Sequence, residues 1–186
     1  MPAITDAKIL ILATDGFERS ELVGPRDQLR EHGATVHVAS PDGSEITSWD
    51  ETDWGDKHPS DLKISDAKVT DYDAVVLPGG QINPDILRTK PEAVKAVRDA
   101  FDAGIVVAAI CHGPWLLVEA DVVRGRTVTS YPSIRTDLKN AGGNVVDEEV
   151  ATDKGLITSR NPGDIPAFVA KIVEEVQEGR HDRAAA

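Results

Sequence analysis

Cysteine occurs once in this sequence, at Cys111, and a histidine, His112, follows it directly. A thiol attacks as its thiolate, and a helix N-terminus or a neighbouring imidazole lowers its pKa from the free value of ~8.5. The surroundings of Cys111 predict both. Val106 to Ile110 is a short apolar run, Cys111-His112-Gly113 a turn, and Pro114 the start of a helix. Strand, tight turn and helix make a nucleophile elbow, which holds its central residue in a sparsely populated backbone conformation. The backbone N–H groups of His112 and of Gly80, on a second glycine-rich turn, are expected to form an oxyanion hole. A lone cysteine elsewhere reads as a small buried hydrophobe. On a regular strand two successive side chains face opposite ways, so only the turn lets Cys111 and His112 meet.

A carboxyl is the third expected component. In Thr14 to Glu21 the polar turn carries Glu18 and Glu21. Glu18 is taken as the acid beside the thiol, protonated because two adjacent anions are costly. Glu21 reads as a first-turn helix acid favoured by the macrodipole, a role equally open to Glu18. The five histidines are scattered with no i, i+4 pair, so no metal site is expected. Gly79-Gly80 is followed by no lysine–serine element and is no phosphate loop, so no cofactor is expected either.

Several elements must position these groups. Lys8–Ala13, Thr35–Ala39, Ala74–Leu77, Ile105–Ile110 and Leu156–Ser159 read as buried strands. A strand is also expected over Arg126–Ser130. Helices are predicted over Ser20–His32, with a kink or late start at Gly24-Pro25, and over Pro91–Ala103, Ser133–Asn140 and Ile165–Gln177. Ser133 is expected to cap its helix. The polar stretch Ser44–Lys68 reads as short strands and loops, and residues 179–186 as a frayed tail. Strands alternating with helices predict one α/β domain over 1–186, core about 8–178, built on a mainly parallel sheet. Ligands then bind at the carboxyl ends of the strands, where the three turns fall.

The composition narrows the partners. Thirty-two acidic against 20 basic residues give a formal charge of −12, which disfavours a nucleic-acid partner. No apolar run reaches the ~18 residues of a membrane span, and the N-terminus has no signal-peptide pattern, so a cytoplasmic protein without a membrane partner is expected. A single cysteine excludes an intrachain disulfide and suits a reducing compartment.

Five segments carry a family likeness: Phe17-Glu18-Arg19-Ser20-Glu21-Leu22, Leu77-Pro78-Gly79-Gly80, Ala109-Ile110-Cys111-His112-Gly113-Pro114, Arg124 to Pro132, and Ser159 to Asp164. In that order they resemble the PfpI-type intracellular protease and general stress protein family, within the class I glutamine amidotransferase-like superfamily. The resemblance covers about Lys8 to Val176. It implies a flavodoxin-like sheet sandwiched by helices, and a homodimer or a hexamer of dimers. It also implies Cys111 as nucleophile, Glu18 as the carboxyl touching its sulfur, and His112 as dyad partner. In protease-like members an acid from a neighbouring subunit completes a triad, and the matching position is Asp85; its bland reading is a helix-start residue. His58 falls where relatives carry a histidine near the cleft, against a plain reading as a solvated loop residue. Tyr131 and Trp115 are weaker pocket candidates, and Trp115 is equally a core or interface residue.

The family resemblance implies a cofactor-independent thiol enzyme acting on reactive carbonyls, of glyoxalase or deglycase type, with a small aldehyde as substrate. Competing readings are a cysteine peptidase or amidase using Cys111, His112 and Asp85 on a peptide, a cysteine redox sensor, and a chaperone.

Overall fold

The computed structural model describes residues 3–183. The chain opens with β1 (Lys8–Leu12), β2 (Phe17–Glu18), α1 (Arg19–Glu31) and β3 (Thr35–Ser40). A hairpin of β4 (Ile46–Asp50) and β5 (Asp53–His58) comes next, then β6 (Leu62–Lys63), β7 (Ala74–Leu77), α2 (Ile82–Leu87) and α3 (Pro91–Asp102). The elbow joins β8 (Val106–Ile110) to α4 (Trp115–Glu119). The remainder is β9 (Thr127–Val128), α5 (Arg135–Asn140), β10 (Asn144–Val145), β11 (Ala151–Asp153), β12 (Leu156–Ser159) and α6 (Ile165–Glu178).

Seven strands form the central sheet in the order β11-β12-β8-β7-β1-β3-β6. All pairs are parallel except β11 with β12, joined through Lys154 and Gly155 at φ 50° and 75°. Positive φ at both residues is the hairpin geometry that matches strand twist. Apolar runs such as Ile9-Leu10-Ile11-Leu12 are buried on both faces because the sheet is covered twice. Leu10 and Leu12 join a core with α3, α4 and α5, while Ile9 and Ile11 join a second core with α1 and α6. This is the flavodoxin-like sandwich of a mostly parallel sheet between helices.

Four expectations are corrected. Helix α1 runs uninterrupted through Pro25, and Gly24 lets it approach Ile165 of α6, where a Cβ would stand 3.4 Å from that side chain. The strand expected over Arg126–Ser130 shrinks to Thr127–Val128 and pairs with β10 outside the main sheet. Ser133 caps no helix: it lies in a 3-10 turn, Pro132–Ile134, ahead of α5. The tail is docked as far as it is described: Arg183 is buried and donates to the carbonyls of Phe101, Ile105 and Lys154. The rest of the tail, residues 184–186, lies outside the described residues. Among the described residues no helix is long and apolar enough to cross a membrane.

Candidate active site

The carboxyl ends of β1, β7 and β8, adjacent in the sheet, deliver three turns to one place. Cys111 directly follows β8 with φ 63°, in the left-handed region that few side chains tolerate. Two bonds hold it there: its N–H donates to Ser159 O at 3.0 Å, and its carbonyl accepts from Tyr131 N–H at 2.9 Å. Gly113 completes the turn because a Cβ there would stand 2.5 Å from Leu77 O. The thiol is 6% exposed, at the floor of a cleft of about 470 Å³. Its sulfur lies 3.1 Å from His112 Nδ1, and the backbone N–H groups of Gly80 and His112 point at it.

The carboxyl beside the sulfur is Glu21, not Glu18. The first turn of α1 carries Glu21 inward under β7, where it is fully buried and its Oε2 accepts from Gly79 N–H at 2.9 Å. Among the described residues its other oxygen, Oε1, has no partner of good hydrogen-bond geometry. A buried anion in that position is costly, and burial raises the Glu21 pKa to about 8. Glu18 stands on the cleft wall, half-buried, 3.4 Å from the Ser20 hydroxyl. Burial raises its pKa as well, opposed by the Glu51 N–H and Ser20.

The thiol pKa moves upward, opposite to the expectation. Burial is the largest cause and a charged Glu21 the next; the N–H groups of Gly80 and His112 oppose them. Helix α4 begins only at Trp115 and is five residues long, so its dipole contributes little at Cys111. The resting site therefore holds a neutral thiol beside a protonated carboxyl. A proton acceptor for the thiol is at hand in His112, whose pKa burial lowers, favouring the neutral ring.

His112 sits between two aromatic rings. Tyr131 stacks on it at 4.8 Å and 26°, and Trp115 meets it edge-on at 5.2 Å. Tyr131 lines the cleft; Trp115 does not, and its indole N–H donates to Asp137 while Arg88 lies over its ring. The second ring nitrogen, Nε2, is 3.1 Å from Ser133 Oγ. Asp85 is exposed in the first turn of α2 and is absent from the cleft lining of this chain. His58 is neither a solvated loop residue nor part of the cleft: it ends β5 buried, edge-on to Phe17 and 3.0 Å from Asp56 Oδ1.

Other cleft residues escape sequence reasoning. Trp49, Glu51 and Ile82 line the walls. Trp49 and Glu51 arrive on the β4–β5 hairpin, whose polar sequence shows no period, and Ile82 opens α2. Trp49 meets Trp54 edge-on across that hairpin at 5.6 Å. Among the described residues Glu175, Glu178 and His181 could together hold a metal ion. That group packs near Gly155, at the end of β12 away from the cleft.

A parallel α/β sandwich with a thiol at a strand-to-helix elbow and a buried acid beneath it defines a class of cysteine proteins. This chain belongs to the DJ-1/PfpI family, whose model matches residues 7–175. It is 40% identical over 167 residues to the protein named Deglycase PfpI of Pyrococcus furiosus, covering 90% of this chain and 98% of that one. It is 41% identical over 166 residues to Protein/nucleic acid deglycase 2 of Escherichia coli, covering 87% and 92%. The crystal structure of Drosophila melanogaster DJ-1beta superposes with a TM-score of 0.82 at 31% identity, covering 93% of this chain and 95% of that one.

Proposed function

We propose that this protein is a cofactor-independent, cysteine-dependent deglycase that removes dicarbonyl adducts from amines. The observation that carries the reading is the buried Cys111 sulfur, with His112 Nδ1 at 3.1 Å and two backbone N–H groups aimed at it. The relatives' names support the same reading.

The chemistry closes without an oxidant. The substrate is an aminocarbinol, R–NH–CH(OH)–CO–CH3. His112 takes the thiol proton, the sulfur attacks the carbinol carbon, the C–N bond breaks, and the amine leaves with that proton. The resulting hemithioacetal, Cys–S–CH(OH)–CO–CH3, loses its C1 proton to a cleft base and regains one at C2. Carbon C1 is thereby oxidised and C2 reduced, giving the thioester Cys–S–CO–CH(OH)–CH3. Water cleaves the thioester, releasing lactate and restoring the thiol. The Gly80 and His112 N–H groups hold the negative oxygen that develops at C1. His112, with Glu18 on the wall and Glu21 beneath the sulfur, supplies groups to carry the C1 proton. The cleft volume suits a small adduct rather than an extended peptide.

The test uses the methylglyoxal adduct of N-acetylarginine, following lactate release and recovery of the free amino acid. The parent protein is expected to release both, and Cys111→Ala and Cys111→Ser to lose at least about 100-fold in rate. Full turnover by Cys111→Ala overturns the reading.

A further inference from the structure

We propose that Ser133 is a positioning residue for the thiol–imidazole pair, holding the His112 ring so that Nδ1 is the nitrogen free to take the Cys111 proton. The inference rests on the reading of Cys111 as a nucleophile, but its test does not need turnover.

A neutral imidazole carries one N–H and one lone pair. Among the described residues the two nitrogens of His112 have one close partner each: Cys111 Sγ at 3.1 Å from Nδ1 and Ser133 Oγ at 3.1 Å from Nε2. A proton on Nδ1 would face the sulfur and leave the thiol without its base. A proton on Nε2 needs an acceptor, because His112 is only 4% exposed. The Ser133 hydroxyl is that acceptor, and it selects the tautomer by accepting. The resting thiol then donates to the Nδ1 lone pair.

The local backbone builds this arrangement from one segment. Tyr131 ties its N–H to the Cys111 carbonyl at 2.9 Å and lays its ring on His112. Two residues on, the 3-10 turn presents Ser133 to the edge of the same ring, and Trp115 closes the other side. The ring plane is fixed by two aromatics and its far nitrogen by one hydroxyl.

A hydroxyl supports the ring without bringing charge. The family resemblance implies an acid from a neighbouring subunit beside this histidine; within this chain the second ring nitrogen meets the Ser133 hydroxyl. The titratable and charged groups around the ring are Cys111 and Glu21 beneath, Glu18 and Glu51 across the cleft, Tyr131 on its face, and Arg88 and Asp137 beyond Trp115. Of these groups only Cys111 hydrogen-bonds to the ring.

The test is 15N NMR of His112 in histidine-labelled protein, with the pH profile of Cys111 alkylation by iodoacetamide. The parent is expected to show the Nε2–H tautomer. Ser133→Ala should give a tautomer mixture and alkylate about 10-fold more slowly at pH 7, and Ser133→Thr should restore both. Ser133→Asp should raise the His112 pKa by about one to three units. Asp85→Asn should leave the ring signals unchanged. The proposal is overturned by an Nδ1–H tautomer in the parent, by Ser133→Ala leaving tautomer and alkylation unmoved, or by Asp85→Asn shifting the ring. A deglycase assay that fails while the Ser133 series behaves as stated rejects the adduct chemistry alone.

Discussion

At the scale of single residues, the proton that Glu21 keeps beside the Cys111 thiol sets how the site responds to pH. Neither group can become an anion freely beside the other, and Glu21 holds its proton up to about 8. In the unfolded chain the same carboxyl ionises near the ordinary value of 4.5. Between those two values the folded chain binds one more proton than the unfolded chain, so stability falls as pH rises through the window. Glu21→Gln keeps the shape and removes the titration. It is expected to flatten the slope between about pH 5 and 8 and to leave the variant more stable than the parent at pH 8, by on the order of 4 kcal/mol. Urea unfolding at pH 5, 6.5 and 8 checks this; parallel curves for the two proteins would show that Glu21 is not the titrating group.

At the scale of elements, the turn after β7 links the acid to the thiol. Gly79 donates to Glu21, and its carbonyl accepts from Glu18 N–H at 3.3 Å and from Asn83 Nδ2 at 3.2 Å. A Cβ on Gly79 would fall inside the Glu21 carboxyl and 2.6 Å from Cys111 Cβ. Gly79→Ala is therefore expected to cost about 1–3 kcal/mol in thermal unfolding and to cut the deglycase rate about 100-fold by displacing both groups; a variant with unchanged melting and rate would contradict the geometry of this turn. The elbow itself was legible, because an apolar run that ends in Cys-His-Gly-Pro leaves little choice of local structure. The choice between Glu18 and Glu21 was not. They lie three apart, adjacent on one helix face if both are helical, and only the start of α1 at Arg19 turns Glu21 toward the sheet. Ser133 looked like a cap because a serine before a helical pattern ordinarily is one. The 3-10 turn frees its hydroxyl for His112, a contact between residues 21 apart that no local pattern records.

At the scale of the whole molecule, the sheet leaves backbone carbonyls at its end opposite the cleft, and the C-terminal segment covers them. Arg180-His181-Asp182-Arg183 reads as solvated from its charges, since nothing in sequence marks which carbonyls lie exposed at that end. Arg183 lays its guanidinium 4.5 Å from the Phe101 ring centroid and donates to Phe101 O, Ile105 O and Lys154 O, joining α3, β8 and the β11–β12 hairpin. Arg126 stands near Phe101 as well and donates to Arg183 O at 3.1 Å. Burial, with the charge of Arg126, lowers the Arg183 pKa to about 10, still high enough to keep it charged at neutral pH. The planar fork meets the three carbonyls with three separate nitrogens, whereas a lysine would have to bring all three to one nitrogen. Arg183→Ala strips a buried donor from three acceptors and is expected to destabilise the fold by about 2–4 kcal/mol. Arg183→Lys should recover less than half of that. The elbow lies at the other end of β8, so the His112 tautomer and the alkylation rate of Cys111 should stay at parental values in both variants. Calorimetry on the three proteins, beside the thiol assay, checks the pair of statements. An Arg183→Ala protein that melts with the parent would mean that the segment rests on the surface without holding it. A slowed thiol at unchanged stability would mean instead that the strap couples to the site.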